Sequence, residues 1–170
     1  MNEDAIKLTR TIQKLVKGTN INEETLLATD YLNHFNEVIM LLELVPDMPE
    51  CLDDVKEWQP KTYAEHFEGS TFSDKELAVL AYENAPSDCR VPFDETTEQI
   101  NQKVKSGIVE IETVQQGGIA EQLRDTVTAV TRDIQLLMDR SSAIINGDFG
   151  KQKEEVVITL DQDDIDALFD

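Results

Sequence analysis

Residues 119–145, IAEQLRDTVTAVTRDIQLLMDRSSAII, decide the fold that the sequence predicts. Apolar residues recur there every three or four positions, which is the spacing of one face of an α-helix and is close to a heptad repeat. The stripe consists of Ile119, Leu123, Val127, Val130, Ile134, Leu137 and Ile144. Because such a stripe must be covered by another apolar surface, the stretch predicts a helix packed in a bundle or along the seam of a dimer.

A second helical stretch comes before it and begins at about Asp94. Its apolar stripe consists of Ile100, Val104, Ile108, Ile111 and Val114. Gly117 and Gly118 separate the two stretches, and paired glycines weaken a helix. The sequence leaves two alternatives at this point: the helices fold back on each other as a hairpin, or they continue with a bend.

The first half of the chain predicts shorter helices. Residues 3–17 have a helical rhythm that ends at Gly18. Asn22 is a candidate cap for a helix over residues 23–45, which Pro46 would end. A third helix is predicted over residues 75–84.

Residues 46–92 form an irregular insert, because prolines and glycines interrupt them. The insert is expected to hold short helices and turns, with a loop containing Ser87 to Pro92. Its aromatic residues are expected to cover one end of the core: Trp58, Tyr63, Phe67 and Phe72.

These features predict an all-α protein, a helical bundle with long antiparallel helices, an irregular short-helix insert and a flexible C-terminal tail. The predicted divisions are a helical bundle domain at residues 1–146, a flexible linker at 147–159 and a partner-binding amphipathic peptide at 160–170.

The net charge narrows the possible partners. The chain has 35 acidic and 15 basic residues, a formal charge of −20 at pH 7. Nucleic acids and anionic membranes need Lys and Arg, so neither is an expected partner, whereas a basic patch on a protein is. We find no long uncharged apolar run, and MNEDAIKLTR has no signal-peptide pattern. Cys51 and Cys89 are isolated, as reduced cytosolic thiols are. A cytoplasmic location is expected.

Residues 160–170, LDQDDIDALFD, have the pattern of a short amphipathic helix. Asp161 is a possible N-cap, and Asp163 and Asp164 would favour the helix dipole in the first turn. Because so short a helix is marginal in water, it should form when a partner groove accepts its apolar side. The alternative is a frayed acidic terminus. The apolar residues are Leu160, Ile165, Leu168 and Phe169.

This segment resembles the response-regulator-binding peptides of bacterial chemotaxis, found at the C-terminus of the CheZ phosphatases and the N-terminus of the flagellar switch protein FliM. The shared pattern is a small or apolar residue, Gln, an acidic residue, Ile or Val, Asp, a small residue and Leu. The placement at the end of the chain is closer to CheZ. The resemblance implies that a CheY-like response regulator is bound by Leu160, Gln162, Asp163, Asp164, Ile165, Ala167, Leu168 and Phe169.

The resemblance also implies an activity, the dephosphorylation of a response regulator in two-component signalling and flagellar motility. The receiver carries an aspartyl phosphate and supplies Mg²⁺ and a lysine. An auxiliary phosphatase therefore adds an amide that positions the attacking water and a carboxylate that docks on the lysine. CheZ proteins use Asp and Gln four residues apart, and the CheC and CheX families use Glu and Asn three residues apart.

Two sets of residues could supply these groups. The first is a polar cluster next to a buried run: Asp30, Asn33, Asn36 and Glu37. The second choice is Glu98, Asn101 and Gln102. Either set could instead be an ordinary solvated helix face.

Other classes of site find little support in the sequence. It has no Gly-rich phosphate loop, GxSxG or HExxH. Asp30, His34 and Glu37 share a helix face, but a dinuclear metal site needs several helices to contribute. We therefore expect no metal or cofactor of the chain's own. A non-catalytic receiver-binding adaptor, or an interaction protein at the flagellar switch, is the alternative to a phosphatase. A homodimer is possible.

Overall fold

A computed structural model describes residues 3–148, and all of its regular elements are helical, as predicted. In chain order they are α1 (Glu3–Leu15), a 3-10 turn (Thr29–Leu32), α2 (Asn33–Leu44), α3 (Cys51–Glu57), α4 (Tyr63–Glu68), α5 (Lys75–Glu83), α6 (Ser87–Gln116) and α7 (Ala120–Ile145). Within this range, no helix has the length and apolar character needed to cross a bilayer.

Helices α6 and α7 form an antiparallel hairpin, which decides between the two alternatives left open at Gly117 and Gly118. Gly117 ends α6, and Gly118 turns the chain with φ +75°, a conformation that glycine adopts without strain. Further from the turn, Lys103 Nζ lies 3.0 Å from Asp133 Oδ2 across the two helices. The predicted long antiparallel pair is thus confirmed.

The seam of the hairpin is made by the predicted stripes. On α6, Ile100, Val104 and Ile111 are fully buried, whereas Ile108 and Val114 are partly buried. The α7 stripe is buried from Leu123 to Ile144 except for Leu137, which is partly buried. Ile119, predicted as the first member, lies just before the helix and is 52% exposed.

The two helices approach each other most tightly at Gly107. A β-carbon on that residue would collide with the Cγ1 atom of Val130, which is 1% exposed and has a branched, stiff side chain. Glycine in mid-helix normally costs about 1 kcal/mol relative to alanine. Here it lets the backbone of α6 come close to α7.

Helix α6 begins earlier than the sequence predicts, so the expected loop containing Ser87 to Pro92 is wrong. The backbone carbonyl of Pro86 accepts the amides of Cys89 and Arg90, which forms the first turn ahead of Pro92. Phe93, 1% exposed, continues the buried face of the helix towards the hairpin seam. Burial of this ring favours the helical path although Pro92 cannot donate a backbone hydrogen bond.

The predicted helix over residues 23–45 is also wrong in its first third. Asn22 Oδ1 accepts the amides of Glu24 and Thr25, as a cap would, but the chain then turns at Leu26, where φ is +61°. Three consecutive residues, Leu26, Leu27 and Ala28, are fully buried. Because a helix on the surface cannot bury three successive side chains, the segment is a loop, and α2 begins at Asn33.

The insert folds as predicted into short helices, and its aromatic residues close one end of the core. Tyr63 and Phe67 are buried in the core, and Trp58 and Phe72 pack against that core as partly buried residues. Tyr31 lies at the centre, with ring centroids 5.3 Å from Tyr63 and 5.5 Å from Phe35. The rings join the insert to α2 and the start of α6.

Gly107→Ala should destabilise the protein. Forcing a methyl group against Val130 costs about 1–3 kcal/mol and exceeds the helix-propensity gain of about 1 kcal/mol. Urea unfolding of Gly107→Ala, Val130→Ala and the double variant measures the effect. The double variant should lose less stability than the sum of the two single losses, because Val130→Ala makes room for the methyl group.

Gly69→Ala is the matched control, because a β-carbon there would meet only the Glu65 carbonyl oxygen, at 3.5 Å. It should leave the urea midpoint nearly unchanged. Equal midpoints for Gly107→Ala and Gly69→Ala would contradict the tight approach.

Candidate functional site

The first candidate set lies at the start of α2 and in the turn before it. Asn33, Asn36 and Glu37 are exposed, and Asn36 Nδ2 donates to Asn33 Oδ1 at 3.3 Å. Asp30 lies in the 3-10 turn, and its Oδ2 is buried without a hydrogen-bond partner among the described residues. The three α2 side chains are therefore exposed on the same face of the helix. The Oδ2 atom of Asp30 is buried and is not part of that exposed face.

The second candidate set lies on α6, where two of its three members line an open cleft of about 250 Å³. The other walls come from the 3-10 turn, the loop between α3 and α4, the start of α4 and the end of α5. None of the first set is among the residues that line it in the described range. The lining residues are Tyr31, Pro60, Lys61, Thr62, Tyr63, Tyr82, Phe93, Asp94, Thr97, Glu98 and Asn101.

The acid and amide groups on α6 have different surroundings. Gln102 Nε2 donates to Glu98 Oε1 at 2.8 Å, so the third residue of the set holds the carboxylate of the first. Asn101 Oδ1 is buried and has no hydrogen-bond partner within residues 3–148. A half-turn about the Cβ–Cγ bond would exchange the positions of the oxygen and the nitrogen of this amide.

Two tyrosine hydroxyls order the cleft walls. Tyr82 donates to Asp94 Oδ1 at 2.7 Å, and Tyr31 donates to the backbone carbonyl of Lys61 at 2.6 Å. Burial, followed by the hydrogen bond to the Asp94 carboxylate, raises the pKa of Tyr82 to about 12. Burial also raises the pKa of Tyr31. Both hydroxyls therefore stay protonated at neutral pH and act as donors.

His34 supports the wall that carries Lys61. Its Nε2 accepts the backbone amide of Lys61 at 3.0 Å, and its carbonyl accepts from Trp58 Nε1 at 3.2 Å. The His34 and Trp58 rings stack with centroids 4.5 Å apart. Burial, followed by the nearby His66 and Lys61, lowers the pKa of His34 to about 4. His34 is thus a neutral acceptor that fixes residues 58–61.

The possible metal ligands Asp30, His34 and Glu37 do not lie together on an exposed surface, because His34 is buried whereas Glu37 is exposed. Residues 3–148 contain no group of three or more His, Cys, Asp or Glu side chains placed to hold a metal ion. The predicted partner-binding residues, Leu160 to Phe169, lie outside the described residues.

Sequence reasoning placed Glu98 and Asn101 among the candidates but missed the rest of the cleft. Lys61 lies in the loop before α4, Tyr82 on α5 and Asp94 on α6. The only local signal was the density of aromatic residues in the insert, which predicted a cover for the core and gave no indication of a cleft beside it.

Comparison with known proteins gives no further information: no protein-family model, curated protein or solved structure matches this chain.

His34 should make stability depend on pH. The histidine has a pKa of about 4 in the folded state and about 6.5 when unfolded, so the unfolded chain binds more protons between these values. The contribution of His34 to the free energy of unfolding is fully present above pH 6.5 and is lost as the pH falls towards 4. The loss is about 3 kcal/mol at most. His34→Gln keeps an acceptor but does not titrate.

Urea unfolding of the wild type and His34→Gln at pH 7, 6, 5 and 4 measures this loss. The wild type should lose more stability than the variant across that range, and His66 is present in both. Parallel stability curves would contradict the role assigned to His34.

Proposed function

We propose that the chain binds a CheY-like response regulator through residues 160–170 and accelerates the loss of its phosphoryl group. The binding half of the proposal is supported by the sequence of that segment, in which Asp164 to Leu168 follow the last five positions of the shared peptide pattern, and Gln162 lies one position further upstream than the pattern places it. The catalytic half is supported by the acid and amide pair on α6, since Glu98 and Asn101 line one cleft.

The tail supplies affinity in this proposal. Residues 149–159 would tether it to the helical domain, so that a bound receiver stays near the cleft at an effective concentration in the millimolar range. Residues 160–170 contain five Asp and no Lys or Arg, which complements a basic patch on a receiver. Weak contacts at the cleft are then sufficient.

Asn101 is the residue that we propose positions the attacking water. An amide carries no charge to repel the phosphoryl oxygens, and its oxygen can accept a hydrogen bond from the water. Glu98, three residues earlier, would dock on the receiver's lysine, and Gln102 would hold Glu98 in place. The offset of three residues is that of the Glu and Asn pair in the CheC and CheX families.

The amides on α2 are the second candidates for the same role. Asn33 and Asn36 are exposed and can reach a partner, but Asn33 Oδ1 already accepts from Asn36. The Mg²⁺ of the reaction would belong to the receiver, and the partnership implies a cytoplasmic location.

Asn101→Ala should slow the chemical step without weakening receiver binding. Losing a group that orients the attacking water costs about 10²-fold or more in rate. Phosphate release from a phosphorylated receiver, at saturating protein, measures the rate. Gln99→Ala is the matched control, because Gln99 is an exposed amide on the same helix outside the cleft lining. Asn33→Ala and Asn36→Ala test the second candidates in the same assay.

Deleting residues 160–170 should weaken receiver binding without slowing the chemical step. The rate at saturation is preserved while the protein concentration needed to reach half of it rises about 10²- to 10⁴-fold, since the tether is lost. Wild-type protein that binds the receiver but leaves its decay rate unchanged would refute catalysis and leave the adaptor function. Receiver binding that is unaffected by the deletion would refute the role of the tail.

A further inference from the structure

Helix α1 carries an unusual charge for this protein. The whole chain has a formal charge of −20, yet residues 3–17 hold four basic residues and two acidic ones. The basic residues are Lys7, Arg10, Lys14 and Lys17, and the acidic residues are Glu3 and Asp4. Helix α1 and the two residues that follow it are therefore a basic region on an acidic protein, and this region attracts acidic segments.

A groove of about 470 Å³ runs between α1 and the junction of α5 and α6. Ile6 and Leu8 line it and remain 39% and 46% exposed. Arg10 and Arg90 also line it, together with one carboxylate, that of Glu83. The groove thus combines uncovered apolar side chains with an excess of positive charge, which suits an acidic amphipathic segment.

We infer that the segment occupying this groove is the chain's own residues 160–170. Its five Asp complement the arginines, and it has no basic residue. Its apolar residues, Leu160, Ile165, Leu168 and Phe169, suit the exposed Ile6 and Leu8. The segment and the groove are therefore complementary. Each has an apolar surface, and the negative charges beside that of the segment match the positive charges beside that of the groove.

The tail can reach the groove. Eleven residues, 149–159, separate Asp148 from Leu160. The twelve steps from one Cα to the next span about 40 Å when extended and about 20 Å on average if flexible. The helical domain has an expected radius of gyration of about 15 Å.

Self-docking would regulate receiver binding, and this consequence rests on the proposed function. A tail held in the groove is withdrawn from the receiver, so the apparent dissociation constant rises by the reciprocal of the free fraction. A tail that is docked nine-tenths of the time binds the receiver about tenfold more weakly. The helical domain would thereby reduce the capture of receivers by its own tail.

Nuclear magnetic resonance on the full chain tests the docking itself. Backbone amide signals of the wild type are compared with those of Leu168→Asp/Phe169→Asp, which changes no residue of the helical domain. Differences are expected at residues 5–13 and 83–90, and raising the salt concentration should move the wild-type signals towards those of the variant. Identical spectra would overturn the inference. Differences that grow with protein concentration would also overturn it, because they indicate a tail from a second copy.

Arg10→Glu/Arg90→Glu should release the tail and so shift the backbone amide signals of residues 160–170. Arg132→Glu is the matched control, because Arg132 is an exposed arginine on α7.

Receiver titration then tests the consequence: Arg10→Glu/Arg90→Glu should bind the receiver several-fold more tightly than the wild type or Arg132→Glu. Equal affinities in a protein whose tail docks would refute the regulation. If no form of the chain binds a receiver, the proposed function fails, whereas the spectra still decide the docking.

Discussion

The apolar seam between α6 and α7 is the interaction on which the rest of the structure depends. Ile100, Val104 and Ile111 on one helix face Val127, Val130 and Ile134 on the other, and all are buried. Gly107 lets the backbones approach closely at the middle of the seam. Helix α2 packs on α7, and α3 packs on both α2 and α6. The insert then closes one end with its aromatic rings. The shorter elements are therefore arranged around a hairpin whose length and direction are set by two apolar stripes and a glycine turn.

The features that the sequence predicted well are those that depend on local, periodic patterns of residues. The stripes of α6 and α7 and the break at Gly117 and Gly118 follow from spacing alone. The errors arose where tertiary contacts outweigh local signals. Asn22 caps backbone amides as its type predicts, but burial of Leu26, Leu27 and Ala28 turns the chain away from a helix. Pro92 predicted a loop, but burial of Phe93 keeps the segment helical. Single-sequence patterns do not contain those contacts.

The candidate site could be predicted only in part for the same reason. The offset between Glu98 and Asn101 is visible in the sequence, as are several other pairs of acid and amide in a chain with 35 acidic residues. What distinguishes this pair is the cleft, and the cleft depends on residues 58–61 lying against α6. That placement depends on His34 accepting the amide of Lys61, a contact across 27 positions of the chain. No periodicity predicts it.

The charge distribution explains why binding and chemistry would be assigned to different parts of the chain. Glu98 and Asp94 give the cleft two carboxylates beside Lys61, and carboxylates repel a phosphoryl group. Such a cleft is poorly suited to capture a phosphorylated receiver by itself. In the proposed function an acidic tail would avoid this conflict, because it would bind a basic surface of the receiver away from the phosphoryl group. The same acidity makes the tail complementary to α1, the basic helix of its own domain. Receiver binding and self-docking would therefore compete for one segment, and salt would weaken both because both depend on the same aspartates.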